Sequence, residues 1–421
     1  MDFTKRYKSH HDSTRVYKDK YVSLVNKDDY LNSLLNSKAT LPRTMYVHVP
    51  YCKKICSFCN MNTGRINNTI ADYHLSIIEQ IKDVSKYLYI QSKPFESIYF
   101  GGGTPTTLSA KQLNLILKAM HEYLPISKSA EISLETSITD LTDDKLQVLK
   151  DNKVNRFSIG VQSFVDRARK LFFRVGTGEY AAKRIKEIID MGFTNTNIDL
   201  IYNYPNQTLF ELRQDLDIIK SLNIAGLSMY SLILNNGSYL HQQIENKAVN
   251  NVPHLNVEKI LFSTIYNELI KSKYQVLEIT KMVKANRDLY QYIRIKNTGG
   301  DCLALGKGAG GKLENYLYYH RALSNKAISL MGRVVNKGYN TVDYIVGALQ
   351  FTKVNYQDVL LKTGFNFKDK CLEFINLLRD EQLADCNDNE LKLTEKGIFW
   401  GNNICRDLIY NLVEVVEEND Y

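Results

Sequence analysis

The sequence lacks the features that mark membrane and secreted proteins. None of its apolar runs approaches the ~18 residues that a membrane-spanning helix requires, and the polar start, Met1 to Arg6, contains no signal-peptide core. Prolines are scarce, with seven in 421 residues, while 44% of the residues are hydrophobic and 24% are charged. This is the composition of a globular protein. We therefore expect a cytoplasmic chain without a membrane span.

Cysteines are also few, and their distribution argues against a disulfide framework. Seven are present, an odd number, and three of them, Cys52, Cys56 and Cys59, lie close together. The others are scattered along the second half of the chain, at Cys302, Cys371, Cys386 and Cys405. Such a distribution is typical of a reducing compartment.

The formal charge of +8 is unevenly distributed. Residues 351–421 contain eight Lys and Arg against fourteen Asp and Glu, so this tail is acidic and the rest of the chain carries the positive charge. An acidic tail is a poor nucleic-acid surface, and we expect no nucleic-acid partner. The basic remainder fits an anionic substrate or an acidic electron-transfer partner, although an excess of lysine also serves solubility alone.

The three clustered cysteines form a C-x3-C-x2-C run that follows a short apolar strand, Tyr46–Val49. Three thiolates at this spacing can ligate three irons of a cubane cluster and leave the fourth iron without a protein ligand. The alternatives are a zinc site and ordinary thiols. Structural zinc takes four ligands, commonly from paired C-x-x-C units, and the sequence contains no second pair. The run therefore predicts that Cys52, Cys56 and Cys59 are metal ligands and the catalytic centre.

From Met45 onward, short β-rich segments alternate with amphipathic helical segments. The predicted strands lie near 46–49, 97–101, 131–135, 156–161, 196–201 and 227–232, and the predicted helices near 70–88, 111–124, 143–150, 179–191 and 209–222. Six successive βα units indicate parallel strands with right-handed crossovers. The expected fold class is α/β, a partial (β/α)6 barrel with its chemistry at the C-terminal strand ends.

Glycines and polar residues fall at those strand ends. The second strand closes with Gly101-Gly-Gly-Thr104-Pro105, where glycines let backbone amides approach a ligand. The next three strands end in Leu134-Glu135-Thr136, Gly160-Val-Gln162-Ser163 and Asn197-Ile-Asp199. A ligand-free turn or a helix cap is the alternative for any single member, but the ordered set favours a ligand site.

The chain after the sixth strand is less regular, and we divide the whole into four parts. Residues 1–44 form a polar N-terminal extension, 45–235 the barrel core, 236–335 a substrate-pocket region and 336–421 an α+β, winged-helix-like cap. The extension contains His10 and His11, for which a metal or haem ligand role and no ligand role are both open. The third part has predicted helices near 257–272 and 286–295 and the glycine loop Gly306–Gly311, which fits a flat aromatic ring or a carboxylate. That loop fails as a phosphate-binding fingerprint because no Lys-Ser/Thr follows it.

The cysteine run and the glycine run together resemble the signature of the radical SAM superfamily. Phe58, directly before the last cysteine, is the aromatic residue usual in that motif. The Gly101–Pro105 run is similar to the glycine motif of the branch containing oxygen-independent coproporphyrinogen III oxidase. The resemblance, over about residues 45–410, implies a [4Fe-4S] cluster whose open iron is chelated by S-adenosylmethionine (SAM). It also implies that an electron from the cluster cleaves SAM to a 5′-deoxyadenosyl radical.

The same resemblance implies which residues contact SAM. Gly102 and Gly103 would lie beside its amino-acid part, and Asp199 near its ribose or amino group. The full implied set is Tyr46, Phe58, Gly102, Gly103, Thr104, Glu135, Gln162, Arg174 and Asp199.

Three relatives within that branch compete for the substrate assignment: coproporphyrinogen III dehydrogenase, a haem chaperone, and the anaerobic haem-degrading methyltransferases. The oxidase typically carries a further cysteine where this chain has Met61. The chaperone typically carries Gly-Ala-His-Ser where this chain has Gly308-Ala-Gly310-Gly311. That loop, and the run Leu393–Gly397 with Trp400, resemble the haem-degrading enzymes.

The resemblance therefore implies anaerobic opening of haem to a methylated linear tetrapyrrole, with release of iron. Haem or another tetrapyrrole is the expected substrate, and a flavodoxin- or ferredoxin-like protein the expected electron donor. Oxidative decarboxylation of coproporphyrinogen III, and haem carriage without turnover, are the alternatives. The substrate pocket is expected to include a candidate axial ligand, His320, together with Gly308, Gly310, Gly311 and Tyr316.

Overall fold

The structure, a computed structural model, describes residues 1–9, 13–59, 61–322 and 324–416. His10 and His11 lie outside the described residues. Within these ranges, no helix is both long and apolar enough to cross a membrane.

One large sheet organises the described chain. The strands are β1 Arg43–Val49, β2 Tyr51–Cys52, β3 Gly64–Arg65, β4 Phe95–Gly102, β5 Ile126–Thr136, β6 Arg156–Gln162, β7 Asn195–Tyr202, β8 Gly226–Ser231, β9 Tyr274–Glu278, β10 Lys281–Lys284, β11 Asp301–Leu305, β12 Gly310–Leu313, β13 Tyr316–Tyr319, β14 Arg333–Val334, β15 Lys353–Asn355, β16 Ala384–Cys386 and β17 Glu390–Leu393. Twelve of them, within the described ranges, form the sheet β14-β13-β12-β11-β1-β4-β5-β6-β7-β8-β10-β9. Two smaller sheets are β15-β17-β16 and β2-β3.

The middle of the large sheet is parallel. Strands β11, β1, β4, β5, β6, β7 and β8 are joined by parallel pairs, and the outer pairs on both sides are antiparallel. Parallel strands bring their C-terminal ends to one edge, where the polar and glycine residues of the sequence are therefore gathered. The predicted α/β class with a parallel barrel core is confirmed.

Helices alternate with the parallel strands along the chain, and further helices lie before and after them. The helices are α1 Thr14–Lys20, α2 Lys27–Leu35, α3 Ile70–Val84, α4 Leu88–Gln91, α5 Ala110–Tyr123, α6 Asp143–Asp151, α7 Asp166–Leu171, α8 Gly178–Asp190, α9 Leu209–Leu222, α10 Tyr239–Glu245, α11 Leu255–Lys271, α12 Gln291–Asn297, α13 Lys337–Gln350, α14 Tyr356–Thr363, α15 Phe367–Lys370, α16 Leu372–Asp380, α17 Glu395–Phe399 and α18 Gly401–Val415. Helix α5 shows the local rules: a Ser109–Gln112 capping box starts it, and Leu113, Ile116 and Leu117 are buried.

The sheet is larger than the six predicted strands. Residues 274–284 form the antiparallel pair β9–β10, so the helix predicted from Asn286 begins only at Gln291. Strand β11 pairs with β1 in parallel and extends the sheet on its other side. Every residue of β11 is buried. A short strand buried on both faces lacks the alternating pattern by which half-buried strands are detected, so the sequence predicts no strand at β11.

The two ends of the chain pack on each other. The rings of Phe3 and Trp400 lie 5.2 Å apart at their centres, and the Asn403 side-chain amide donates to the carbonyls of Asp2 and Lys5 at 3.1 and 2.8 Å. The N-terminal extension also contains α1 and α2, although its sequence shows no clear period. The last part of the chain combines α13–α18 with the β15-β17-β16 sheet, and its winged-helix-like character stays a prediction.

Candidate cluster and cosubstrate site

The cysteine loop, residues 52–65, leaves the end of β1 and returns at β3. Its middle is held by Ser57, whose hydroxyl donates to the Leu171 carbonyl at 2.6 Å and whose carbonyl accepts from the Leu240 amide at 2.8 Å. Phe58 packs edge-on against Phe172, with ring centres 5.1 Å apart. Phe58 therefore anchors the loop to the hydrophobic layer beneath it, and a contact between Phe58 and SAM stays a prediction.

Polar groups surround the three cysteine sulfurs. Cys52 Sγ lies 3.2 Å from Thr63 Oγ1 and 3.5 Å from Thr104 Oγ1. Arg174 Nη1 donates to Cys56 Sγ at 3.2 Å. Burial raises the pKa of the Cys59 thiol, and the nearby Cys56 and Cys52 act in the same direction. Hydrogen-bond donors at the sulfurs are the outer contacts that tune an iron–sulfur cluster.

The three thiols do not converge on one point. Among the described residues, no three His, Cys, Asp or Glu side chains are close enough together to hold a single metal ion. The cysteines of a cubane each ligate a different iron, so they need not converge.

We expect Arg174→Leu to make the cluster harder to reduce. The guanidinium hydrogen bond to Cys56 stabilises the more negative, reduced state, and losing about 1 kcal/mol of such stabilisation lowers the potential by on the order of 50 mV. A redox titration followed by EPR, without SAM, measures this shift. The control is Arg167→Leu, because Arg167 pairs with Glu211 at 2.7 Å. An equal potential in wild-type and Arg174→Leu protein would contradict the contact.

The glycine run lies directly against this loop and against β1. Gly102 has φ +111, and a Cβ there would lie 2.7 Å from the His48 ring. A Cβ on Gly103 would lie 2.6 Å from both the Tyr51 carbonyl and Thr63 Oγ1. Both positions therefore require glycine. The close approach brings the end of β4 next to the cysteine loop.

Two carboxylates face the barrel interior beside the glycines. Glu135 accepts from the Gly102 amide at 3.1 Å and from the Tyr99 hydroxyl at 2.7 Å. Burial raises the pKa of Glu135 to about 7. Burial also raises the pKa of Asp199, and the positive charge of Lys281 opposes that shift. Both groups can therefore accept hydrogen bonds, and Glu135 can also change protonation near neutral pH.

Two buried polar atoms at this mouth have no partner in the described part of the chain: Gln162 Oε1 and Arg174 Nε. Gln162 has φ +69, a conformation that side-chain-bearing residues rarely adopt. Arg174 also donates to the Gly160 carbonyl, which places it at the end of β6. Buried polar atoms in proteins are nearly always paired. A polar cosubstrate such as SAM fits these unpaired groups.

His48 is a residue of this site that the sequence analysis did not single out. Its Nε2 lies 3.0 Å from the Asn62 carbonyl, and its Nδ1 lies 2.9 Å from the Tyr46 hydroxyl. A carbonyl only accepts, so Nε2 carries the proton and Nδ1 accepts from Tyr46, a tautomer assigned from the network. The signal was available: His48 is two residues after Tyr46, on the same face of β1. Thr63, which contacts Cys52 Sγ, has no comparable feature in the sequence that predicts its place in the site.

A cleft of about 650 Å³ opens beside the cysteines. Its lining combines apolar, cationic and amide side chains with two of the three cysteines. The lining residues are Lys54, Ile55, Cys56, Cys59, Met61, Arg65, Phe173, Asn235, Asn236, Gly237, Ser238 and Tyr239.

The late glycine loop reaches this region only in part. A Cβ on Gly308 would lie 2.7 Å from Asn62 Nδ2, so this glycine packs on the cysteine loop, whereas Gly310 and Gly311 lie against β13. Tyr316 is fully buried and donates to the Ser329 carbonyl at 2.8 Å. His320 is 3% exposed, with Nε2 2.9 Å from the Ala327 carbonyl. Tyr319 is exposed and accepts from Asn62 Nδ2 at 2.8 Å. A substrate role for Gly308, Gly310, Gly311, Tyr316 and His320 stays a prediction.

Comparison with known proteins agrees with this geometry. The model of the radical SAM superfamily matches residues 46–219. The heme chaperone HemW of Buchnera aphidicola subsp. Schizaphis graminum is 30% identical over 274 residues, which are 65% of this chain and 70% of that protein. The chain belongs to the radical SAM superfamily. Members of this family use a [4Fe-4S] cluster and SAM, so the predicted cofactors are confirmed.

Two further similarities come from tetrapyrrole-related proteins. Anaerobilin synthase of Escherichia coli O157:H7 is 25% identical over 377 residues, which are 87% of this chain and 83% of that protein. The solved structure of coproporphyrinogen III oxidase (HemN) from Escherichia coli superimposes with a TM-score of 0.79 at 21% identity, covering 96% of each chain. That likeness shows the fold. The chain is thus a radical SAM protein similar to tetrapyrrole-related proteins of three kinds.

Proposed function

We propose that this radical SAM chain binds haem in the cleft beside its cysteines and opens the ring to a methylated linear tetrapyrrole, with release of iron. The observation that carries the proposal is the composition of the cleft, which joins apolar walls to two cations next to Cys56 and Cys59. Haem has the complementary surface, because it presents a broad apolar face and two propionates.

Exposed apolar side chains form the walls. Met61 is 54% and Tyr239 50% exposed, and the rings of Tyr239 and Phe173 lie 4.9 Å apart at their centres. Large apolar side chains exposed around a concavity mark a ligand site. The two rings, tilted by 49° to each other, offer aromatic contacts for a macrocycle.

The cations of the cleft distinguish between tetrapyrroles. Lys54 and Arg65 are the basic residues among those that line it in the described chain, and the Lys54 ammonium lies 5.3 Å from the centre of the Phe173 ring. Two cations match two propionates at the edge of a haem. Coproporphyrinogen has four carboxylates, two of which would find no cation among these lining residues. The charge of the cleft therefore favours haem.

The residues around the cleft have separable tasks. When bound, the cluster and SAM supply one-electron cleavage of the sulfonium and a methyl group. Cys52, Cys56 and Cys59 would hold three corners of the cluster, and Arg174 orients Cys56. Glu135 and Asp199 would orient SAM, while the cleft positions the ring edge and excludes water. A flavodoxin- or ferredoxin-like donor completes the proposal.

We expect the double variant Lys54→Ala/Arg65→Ala to bind haem about tenfold more weakly, since each partly exposed ion pair contributes roughly 0.2–1 kcal/mol. Anaerobic optical titration of the Soret band measures this. The dimethyl ester of haem, which lacks the two carboxylates, should bind wild-type and variant protein equally.

Lys53→Ala is the matched control for that variant. The Lys53 ammonium pairs with Asp140 at 2.6 Å and does not line the cleft. Unchanged haem affinity in the double variant, or an equal loss for the ester, would place the propionates elsewhere.

A further inference from the structure

Four tyrosines form a continuous column inside the barrel. The ring centres of Tyr99 and Tyr292 lie 4.5 Å apart, and Tyr46 lies 6.3 Å from Tyr99 and 5.9 Å from Tyr292. Tyr290 continues the column at 6.2 Å from Tyr99. The rings come from β1, β4 and the start of α12. The proposed haem and SAM chemistry gives Tyr99, Tyr290 and Tyr292 no task.

The column links the predicted SAM site to the opposite end of the barrel. At the mouth, a Cβ on Gly101 would lie 3.0 Å from the Tyr46 ring and 2.9 Å from the Glu135 carboxylate. At the other end, the Arg156 guanidinium lies 4.2 Å from the centre of the Tyr290 ring and pairs with Asp288 at 2.9 Å. An oxidising event at the strand ends therefore has stacked phenols leading away from it.

The two phenols nearest the mouth each have a proton acceptor. Tyr99 donates to Glu135 Oε1 at 2.7 Å, and Tyr46 donates to His48 Nδ1 at 2.9 Å. Burial raises the pKa of Glu135 to about 7, so it takes up a proton near neutral pH. Burial lowers the pKa of His48, which keeps its Nδ1 free to accept. A phenol loses an electron most readily when its proton has a place to go.

We propose that this column is a radical sink, which quenches carbon-centred radicals formed at the strand ends when no substrate is in position. The proposal rests on the radical chemistry of the function proposed above. The phenolic O–H bond is weaker than the C–H bond that a primary carbon radical forms, so transfer of the hydrogen atom is downhill.

The step balances as follows. The radical takes one hydrogen atom from the Tyr46 hydroxyl: a C–H bond forms, the O–H bond breaks, the carbon centre is reduced and the phenol is oxidised by one electron. The electron vacancy then moves inward, because an electron passes from Tyr99 to Tyr46. The Tyr99 proton passes to Glu135, and Tyr46 takes a proton from solvent at the mouth. One electron from the low-potential donor that also reduces the cluster, with the proton held by Glu135, restores Tyr99.

The test is an anaerobic incubation of the reconstituted full chain with SAM and one equivalent of a one-electron reductant, without tetrapyrrole, frozen at intervals for EPR. Ring-deuterated tyrosine identifies a tyrosyl signal by its narrowing. We expect this signal in wild-type protein and, per SAM cleaved, a loss of at least tenfold in Tyr46→Phe/Tyr99→Phe/Tyr292→Phe, which lacks the hydroxyl that gives up the hydrogen atom and the phenols that receive the electron vacancy. The matched control is Tyr89→Phe, because Tyr89 is buried and donates to Asp301 at 2.6 Å but lies outside the column. A signal equal in the two variants, or SAM cleavage without a tyrosyl signal, would overturn the proposal.

A second measurement separates this proposal from the chemistry of SAM. A photo-oxidant is attached to the thiol that Met61→Cys introduces at the rim of the cleft. In this protein Cys52, Cys56 and Cys59 are replaced with alanine and Cys386 with serine. Light then oxidises a tyrosine of the column without SAM. Transient absorption should show phenoxyl formation that falls at least tenfold in Tyr46→Phe/Tyr99→Phe/Tyr292→Phe and persists in Tyr89→Phe. Phenoxyl yields that are equal in these two proteins would overturn the sink. If photo-oxidation is intact but the reconstituted wild-type protein of the first experiment does not cleave SAM, the result supports the sink and counts against the proposed enzyme function.

Discussion

Replacing Cys52, Cys56 and Cys59 with alanine is expected to lower the iron content of the anaerobically reconstituted protein from about four atoms per chain to near zero. The remaining cysteines are poor substitutes because they are scattered and mostly buried. Burial raises the pKa of Cys302 to about 11 and of Cys405 to about 12, which disfavours the thiolate that binds iron. Iron and sulfide analysis, with the absorption of the cluster, measures the loss.

Cys386→Ala is the matched control for this experiment. Cys386 is only partly buried and lies in the C-terminal part of the chain, on β16. Its removal should leave about four irons per chain. Iron that persists in the triple variant, or that disappears with Cys386, would refute the assignment.

Asp199→Ala is expected to weaken SAM binding roughly ten- to a hundredfold and to leave the cluster intact. The loss corresponds to one buried hydrogen bond to a charged group, about 1.5–3 kcal/mol. Burial raises the pKa of Asp199, so its ionised form is less favourable in the folded chain than in the unfolded chain. The fold should therefore survive the substitution. Anaerobic calorimetry with SAM and reconstituted protein measures the affinity.

Asp301→Ala is the corresponding control, because Asp301 is a buried carboxylate that accepts from Tyr89 at 2.6 Å outside the barrel interior. It should bind SAM as wild type does, provided that circular dichroism shows a folded protein. Equal SAM affinity in wild-type and Asp199→Ala protein would remove Asp199 from the site.

The barrel core was predictable because its helices and strands are long and regularly patterned. Strand β4, for example, is buried over nearly its whole length and ends in a glycine run that marks its C-terminal end. The added strands were not predictable in the same way. Strand β11 is buried on both faces, and β9 and β10 are short strands joined by a tight turn. Their pairing is decided by contacts with β1 and β8, which are distant in sequence.

In the candidate site too, residues that belong to a sequence motif were predictable, whereas residues that depend on the register of a strand were not. Spacing indicated the cysteines, and the position of the glycine run at a strand end, together with the family resemblance, indicated Gly102. Spacing did not indicate which tyrosines of β13 face the mouth, because the four strand residues, three tyrosines and Leu317, give no alternation of polar and apolar side chains. The strand buries Tyr316 and Tyr318 on one side and leaves Tyr319 exposed on the other. The substrate prediction depends on this register and stays a prediction, while the cluster prediction needed no register.

The most direct test of the proposed function is anaerobic turnover of reconstituted protein with SAM, a one-electron reductant and haem, followed by optical spectra and product mass. We predict loss of the Soret band, release of iron and a linear tetrapyrrole that carries one methyl group from labelled SAM. The triple cysteine variant should leave haem unchanged. A Soret band that shifts and then persists would indicate haem carriage. Loss of two CO2 from coproporphyrinogen III, with haem untouched, would contradict the proposal outright.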